Sequence, residues 1–527
     1  MSAAVSSPSR AIVPPDPIIP VSDPVAGAQP DLVRRQTRPG RWQGAGWDAF
    51  VAELAGKKVT VRVGRAAVAP FMHDGGGVIR GCPHGLVQAT STADVAAVLA
   101  AAQTHGVPVT VRGGGKTTDG ESVAPGGLAL DLSALSRIIA IDRKAQTVRC
   151  QAGIFWHSLA EGLRREGLDY CSAPLNLTSS VGGTLGVGGI DVNSPRLGCS
   201  ADQAIALEVV TPTGRILRCS ETENPEVFER VLFGYGQFGV ITEATLPVRR
   251  YHPIRMQYLY YTSLRTAITD MQRLVEADAA DHVAILTIMD AAITLLVAFE
   301  SDERSETFAI RWRHRLAGMT ESTFALRALV TYGTRPWAWR EARYLLRRRM
   351  SLFPDLMKPE HLRGEWIHDR TVVFSRAVWK HWGGKEVVIP DLSANSAKFI
   401  EAVERGNAVC RKFFPYYTLY CVGIKLFGKK PRYELSCIPA DAEKFAYGCE
   451  FEPMLADLGH PASHDRIQAF KNAIYDIAPD MGLSCYRFGG VMKGYIRKIF
   501  PAEVVDRHLA MKRAADPAMI LNPGVIF

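Results

Sequence analysis

Long apolar runs are missing from this sequence. No stretch of roughly 18 apolar residues occurs, so a transmembrane helix is not expected. Metal-ligand spacing is missing too. The ten cysteines (Cys82, Cys150, Cys171, Cys199, Cys219, Cys410, Cys421, Cys437, Cys449 and Cys485) form no C-x-x-C pair, and no Cys/His grouping has zinc spacing. They read as buried small hydrophobes in a reduced, cytoplasmic protein with no metal. The first twenty residues carry too much proline for a signal-peptide core. Arg34-Arg35 is followed by a polar stretch, which argues against an export signal. Charge excess is small, at +9 over 527 residues. That bias suits an anionic ligand or an acidic membrane surface. No nucleic-acid-reading motif accompanies it, so nucleic acid is not expected as a partner. Neither an internal repeat nor a Ser/His/Asp arrangement is visible, and His252, His361, His368 and His381 are scattered singly.

What is present is an α+β pattern too long for one core. Residues 1–40 are rich in Pro, Ala and Ser and read as a flexible extension. From Gly85 onward, LVQATSTADVAAVLAAAQTHGVPVTVR reads as a strand, a helix capped by Thr92 and ended by Gly106, and a second strand. LALDLSAL, IIAIDRK and TVRCQAG read as short strands, and WHSLAEGLRREG as an amphipathic helix. ALEVVTPTGRILRC reads as a hairpin turning at Thr213-Gly214. Near Tyr251 glycine clusters give way to aromatic and arginine residues. The chain therefore divides into 41–250, an inserted unit at 251–455, and a 456–527 segment. The Asn-Pro-Gly turn of that segment suggests a tail docked on the first unit.

Two glycine clusters stand out. PVTVR runs into Gly113-Gly114-Gly115-Lys116-Thr117-Thr118, where bare backbone N–H groups, two hydroxyls and one ammonium can converge on an anion. The spacing matches neither a P-loop nor a G-x-G-x-x-G turn. The second cluster places Gly182, Gly183, Gly186, Gly188 and Gly189 within eight residues, which would pack poorly in a helix or strand. A flat ligand lying on the backbone explains both clusters, together with Gly234, Gly236 and Gly239. The plainer reading of either alone is a turn.

The ordered set VRGGGKTTDGES, PGGLALDLSAL, SVGGTLGVGGI, ALEVVTPTGRILRCS, NPEVFERVLFGYGQFGVITEATL and DPAMILNPG resembles the vanillyl-alcohol oxidase / p-cresol methylhydroxylase (PCMH-type) FAD-binding family. The flavin half is most similar to cytokinin dehydrogenases. The resemblance implies a two-domain fold with FAD as cofactor and a central α/β cap over the flavin. It implies flavin contacts at Gly113, Gly115, Lys116, Thr117 and Glu121, with Gly114 and Thr118 in the same loop. It implies further contacts at Ser180, Gly183, Thr184, Gly186 and Ile190, beside Gly182. Val240 and Ile241 fall where the family's backbone meets the adenosine end, and Asn522 falls in the C-terminal turn.

Two departures from the family bear on chemistry. Lys116 stands where cytokinin dehydrogenases carry the histidine bonded to the flavin. Asn176 stands where the berberine-bridge branch carries a second, cysteine link. Non-covalent FAD is therefore expected. Leu175 stands where cytokinin dehydrogenases place the aspartate that takes a substrate proton, so a base must come from elsewhere.

Tyr486-Arg487 resembles the Tyr-Arg pair that holds a phenolate in vanillyl-alcohol-type oxidases, and an adjacent arginine can lower a phenol's pKa. The alternative is a solvated basic strand. Lys493, Tyr495 and a tyrosine of FPYYTLYCVGIK, Tyr417 or Tyr420, are further catalytic candidates, although core aromatics explain the last equally well. In the cap, Trp337, Trp339 and Phe353 alternate with Arg340, Arg343, Arg347, Arg348 and Arg349. A basic amphipathic helix of this kind suits peripheral membrane contact or an anionic partner. The expected activity is FAD-dependent oxidation of a small or medium organic molecule (an alcohol, an amine or an activated C–H) with an unidentified electron acceptor. Two alternatives stand beside it. One is the reverse flow of a sterol-type alkene reductase using NADPH. The other is a non-catalytic ligand-binding protein on a degenerate flavin fold.

Overall fold

The computed structural model describes residues 44–76, 79–288, 292–319, 388–414, 417–427, 434–453, 464–487 and 495–527. The 1–40 extension, the Arg/Trp segment, His361, His368, His381 and Lys493 lie outside the described residues.

Among the described residues the strands form three sheets. The first has the order β1 (Arg62–Val63), β2 (Gly85–Gln88), β4 (Leu128–Asp131), β3 (Val109–Arg112), with β2, β4 and β3 parallel. Between β2 and β3 lies the expected helix, Thr92–His105. Its cap is Ser91, not Thr92. Ser91 Oγ accepts from Asp94 N at 3.1 Å, and Asp94 returns the bond to Ser91 N, a reciprocal box that satisfies two otherwise unpaired amides. Thr92 is already helical, and its hydroxyl donates to Glu208 at 2.6 Å. Gly106 ends the helix at φ 65°, where a side chain would be strained. Val95, Val98, Leu99 and Ala102 bury the helix against this sheet. The chain end pairs with β3: Val109 N donates to Ile520 O and Asn522 N to Val109 O, both at 2.8 Å.

The second sheet runs β5 (Ile138–Asp142), β6 (Thr147–Gln151), β10 (Val240–Arg250), β8 (Ala206–Val210), β9 (Ile216–Ser220). A short β7 (Leu168–Tyr170) pairs with the end of β10. The β8–β9 hairpin turns through Gly214, and a helix over Trp156–Arg165 buries Trp156, Leu159 and Leu163. The second glycine cluster departs from expectation, because Val181–Val187 is helical. Gly182 allows this by lying against Ala152, whose Cβ would be 2.7 Å from any Cβ placed there. The cluster thus serves close packing of a short helix beneath the cavity wall.

The third sheet is antiparallel, with the order β11 (Arg255–Tyr261), β13 (Ala292–Phe299), β12 (His282–Ile288), β15 (Tyr417–Lys425), β16 (Phe445–Pro453), β14 (Asp391–Asn395). Helices Leu264–Glu276 and Ser396–Phe413 cover one face with Ile268, Met271, Phe399 and Val403, which share a core with Leu295, Leu419 and Phe451. Ion pairs seat this unit on the second sheet. Arg249 at the end of β10 meets Glu300 beyond β13, and Arg196 meets Asp281. The face of the third sheet opposite those helices closes over the glycine loops.

Candidate functional site

All three glycine-rich segments converge. The first loop follows β3 and is held by Asp74, whose carboxylate accepts from Thr117 Oγ1 at 2.8 Å and Gly120 N at 2.7 Å. Burial pushes Asp74 up to about 6, against the downward pull of those bonds and of Arg112. The second segment abuts the first: a Cβ on Gly113 would lie 2.1 Å from Ser180 Oγ. Ser180 caps the Val181–Val187 helix by accepting from Gly183 N, and Trp156 Nε1 donates to Thr184 Oγ1 at 2.9 Å. The third segment bonds to that helix through Phe233 N to Leu185 O (3.1 Å) and Tyr235 N to Gly186 O (2.8 Å). Asn522 then ties the first and third segments together. Its Oδ1 accepts from Val111 N at 2.8 Å and its Nδ2 donates to Gly236 O at 2.7 Å.

These segments line one cavity of about 400 Å³. Gly113, Gly114, Gly115, Lys116, Thr117, Thr118 and Glu121 line it from the first loop. Ser180, Gly182, Gly183, Thr184, Gly186 and Ile190 line it from the second segment, and Val240, Ile241 and Asn522 from β10 and the chain end. Every position singled out in the sequence as flavin-facing therefore borders the same space. Burial, with a smaller contribution from neighbouring Arg112, pulls the Lys116 ammonium down to about 8. Burial raises the Glu121 carboxyl, with Asp119 and Asp74 adding to the shift.

The opposite wall is the face of the third sheet turned away from its two helices. In register, Tyr420 faces Glu450, and Thr418 faces Glu452; Asp391 pairs with Glu450, and Ser393 with Gly448. Because side chains alternate along a strand, Tyr420, Val422, Glu450 and Glu452 look into the cavity while Leu419, Cys421 and Phe451 enter the core behind. Among the tyrosines of β15, Tyr420 is thus at the cavity. Tyr417 sits three residues away on the other face, and its hydroxyl donates to Asn407 Oδ1 at 2.7 Å inside the core. Tyr495 is also away from the cavity, bonded to Asn472 O and packed on the Tyr475 ring.

Tyr486 and Arg487 do line the cavity, but not as a phenolate pair. Arg487 donates to Glu450 Oε1 at 2.6 Å, to Asp391 Oδ2 at 3.3 Å and to Ile389 O at 2.9 Å. Its charge is committed to two carboxylates. Burial pushes the Tyr486 phenol above its ordinary value, and Arg487 offsets this only in part. The phenol accepts from Gly189 N at 3.2 Å. The expectation of a lowered phenol pKa is overturned, and so is that of a solvated strand, since Arg487 has only 15% side-chain exposure and is bonded to two carboxylates.

Leu175 and Asn176 border the cavity, and Leu175 packs in one apolar cluster with Tyr420 and Val422. The position of the family aspartate is therefore apolar, and the cavity's carboxylates sit across from it on β14 and β16. The sequence reading passed over Asp391, Glu450 and Glu452. The alternation Cys449-Glu450-Phe451-Glu452 was the available signal, since two acids at a period of two on a buried strand share one face.

The residues present suit FAD. Glycine backbone floors the cavity on three sides, and nothing lies within 4 Å of where a Gly186 Cβ would stand. Thr118 Oγ1 is buried on the cavity wall with no hydrogen-bond partner, as a group awaiting a polar ligand would be. Among the described residues, no helix is long and apolar enough to cross a membrane, and no group of His, Cys, Asp or Glu could hold a metal ion.

Comparison with known proteins agrees. Residues 83–220 match the family model for an FAD binding domain. Cytokinin dehydrogenase 2 of Arabidopsis thaliana is 29% identical over 221 residues, covering 41% of this chain and 44% of that protein. D-lactate dehydrogenase of Anaerostipes hadrus is 30% identical over 203 residues, covering 37% and 42%. The chain thus matches less than half the length of these relatives. The crystal structure of 6-hydroxy-D-nicotine oxidase from Arthrobacter nicotinovorans superposes with a TM-score of 0.61 at 17% identity, covering 88% of this chain and 96% of that one. With the two-loop cradle and the covering sheet already in view, these matches show an FAD-binding domain over residues 83–220, set in a two-domain α+β fold like that of the nicotine oxidase.

Proposed function

We propose that the protein is an FAD-dependent oxidoreductase that oxidises a small or medium organic substrate while holding its flavin without a covalent bond. The observation that carries this reading is the cavity itself, with a glycine-backbone cradle on one wall and acids and a phenol on the other. When bound, FAD would supply the electron-accepting chemistry. Gly113, Gly115, Thr117, Thr118, Ser180, Gly183 and Asn522 would hold it, and Lys116 would place positive charge against its anionic parts. The third-sheet face would bind and orient the substrate and exclude water. Leu175 accepts no proton, so proton transfer would fall to the carboxylates on β14 and β16.

The purified protein is expected to be yellow, and acid precipitation should leave the colour in the supernatant. Colour in the pellet would contradict the non-covalent reading. Under anaerobic conditions an organic donor should bleach the flavin band. Bleaching by NADPH alone would reverse the assigned direction of electron flow, and protein that stays colourless with added FAD would remove the enzymatic reading.

A pH dependence also follows. Lys116 is charged below about 8 and loses its proton above it. An anionic ligand favours the charged form, so FAD affinity should fall as pH rises from 7 to 9, by about tenfold. Lys116→Met should bind FAD more weakly at pH 7 and show a shallower profile by fluorescence titration, the remainder of the slope belonging to Glu121 on the same cavity wall. An unchanged slope in that variant would place the titrating group elsewhere.

A further inference from the structure

We propose that the third-sheet end of the cavity binds the protonated nitrogen of an organic amine, with Glu452 and Tyr420 as the residues that select it. The inference rests on the oxidoreductase reading above and narrows its substrate to one class.

Three carboxylates meet at this end: Asp391, Glu450 and Glu452. One guanidinium serves them, and its bonds are taken by Asp391 and Glu450. Glu452 receives a neutral donor instead, Thr418 Oγ1 at 2.8 Å. A carboxylate on a buried wall with only a neutral donor is poorly compensated, and a ligand cation would complete it. Burial and the nearby Glu450 raise its proton affinity, and the Thr418 bond and the more distant charge of Arg487, which is bonded to the other two carboxylates, offset this only in part.

Tyr420 supplies the second, independent observation. It is 8% exposed, lies on the cavity wall, and its hydroxyl has no hydrogen-bond partner. It stands on β15 one ladder step from the Thr418–Glu452 pair, on the same face. A carboxylate and a phenol oxygen side by side can both accept from the N–H groups of one ammonium. Next to them Leu175, Val422 and Ile190 make an apolar surface for the hydrocarbon body of such a ligand. A carboxylate-bearing substrate would meet like charge here. A neutral alcohol would leave Glu452 without a cation.

Calorimetric titration of the flavin-loaded protein under nitrogen, near neutral pH, tests this. The probes are benzylamine and 4-phenylbutylamine, each against its alcohol of equal size. At least one ammonium should bind about tenfold or more tightly than its alcohol. Glu452→Gln should erase that preference, because an amide mimics the neutral acid but not the anion. Tyr420→Phe should weaken the amine several-fold and leave the alcohol unchanged. The visible flavin band of each variant reports that it has folded. Equal binding of amine and alcohol throughout, or an amine preference that survives Glu452→Gln, would overturn the proposal. Flavin reduction is read separately by absorbance. Failure of every donor to bleach the flavin would count against the oxidoreductase reading, while the heat of amine binding decides the ammonium site on its own.

Discussion

Gly113→Val is expected to yield protein that purifies nearly colourless, with FAD affinity lowered by at least about 100-fold. Gly113 lies where the first glycine loop meets the second segment. A Cβ there would stand 2.1 Å from Ser180 Oγ and 3.0 Å from Ser180 Cβ, so rotating the hydroxyl away still leaves a tight contact, to which valine adds two methyl groups. Rotation would also remove the cap on the Val181–Val187 helix, a loss of about 1 kcal/mol. The loops must separate, and the cavity floor separates with them. Fluorescence titration of flavin-free protein with FAD measures the effect. In the milder Gly113→Ala background, Ser180→Gly should restore part of the affinity, because it removes the atoms that collide. An unaltered dissociation constant in Gly113→Val would show that the two loops are not jointly required.

The second large effect is on stability. Lys471 and Asp119 form an ion pair with both side chains at 0% exposure, and Tyr475 also donates to Asp119. The pair joins the helix His464–Tyr475, which packs in the core of the third-sheet unit, to the first glycine loop. Asp119→Ala would strand a buried ammonium without its carboxylate, and is expected to cost about 3–5 kcal/mol. Asp119→Ala combined with Lys471→Met should recover most of that, because two apolar groups need no solvation. Chemical denaturation of the flavin-free protein distinguishes the variants. A double variant no more stable than the single one would mean that the pair acts through geometry and not through charge compensation.

Much of the fold was legible because it is written in local chemistry. The run from Gly85 to Arg112 alternates strand and helix through side-chain period, a serine cap and a glycine stop, all within a few residues of one another. The hairpin at Gly214 and the helix-turn-strand from Pro225 to Arg250 are equally local. The cap falls one residue earlier than expected, because Ser91 and Thr92 are both competent and only the bond from Asp94 N to Ser91 Oγ decides between them. The glycine cluster at 182–189 is hostile to a helix by intrinsic propensity. Contact with Ala152 overrode it.

At the candidate site the division is sharper. The inventory is local: two glycine clusters, a lysine where a histidine would bond the flavin, a leucine where a base would stand, and an Asn-Pro-Gly turn. Those are properties of residue type and order. Tertiary structure decided which groups meet. Tyr420 faces the cavity and Tyr417 does not, because strand parity acquires a direction only when one face of the sheet is covered by helices. Arg487 is neutralised by Asp391 and Glu450, partners distant in the chain that strand register alone brings together. The same register leaves Glu452 beside a buried, unpartnered phenol. Charge compensation depends on distance in space, and no local pattern encodes it.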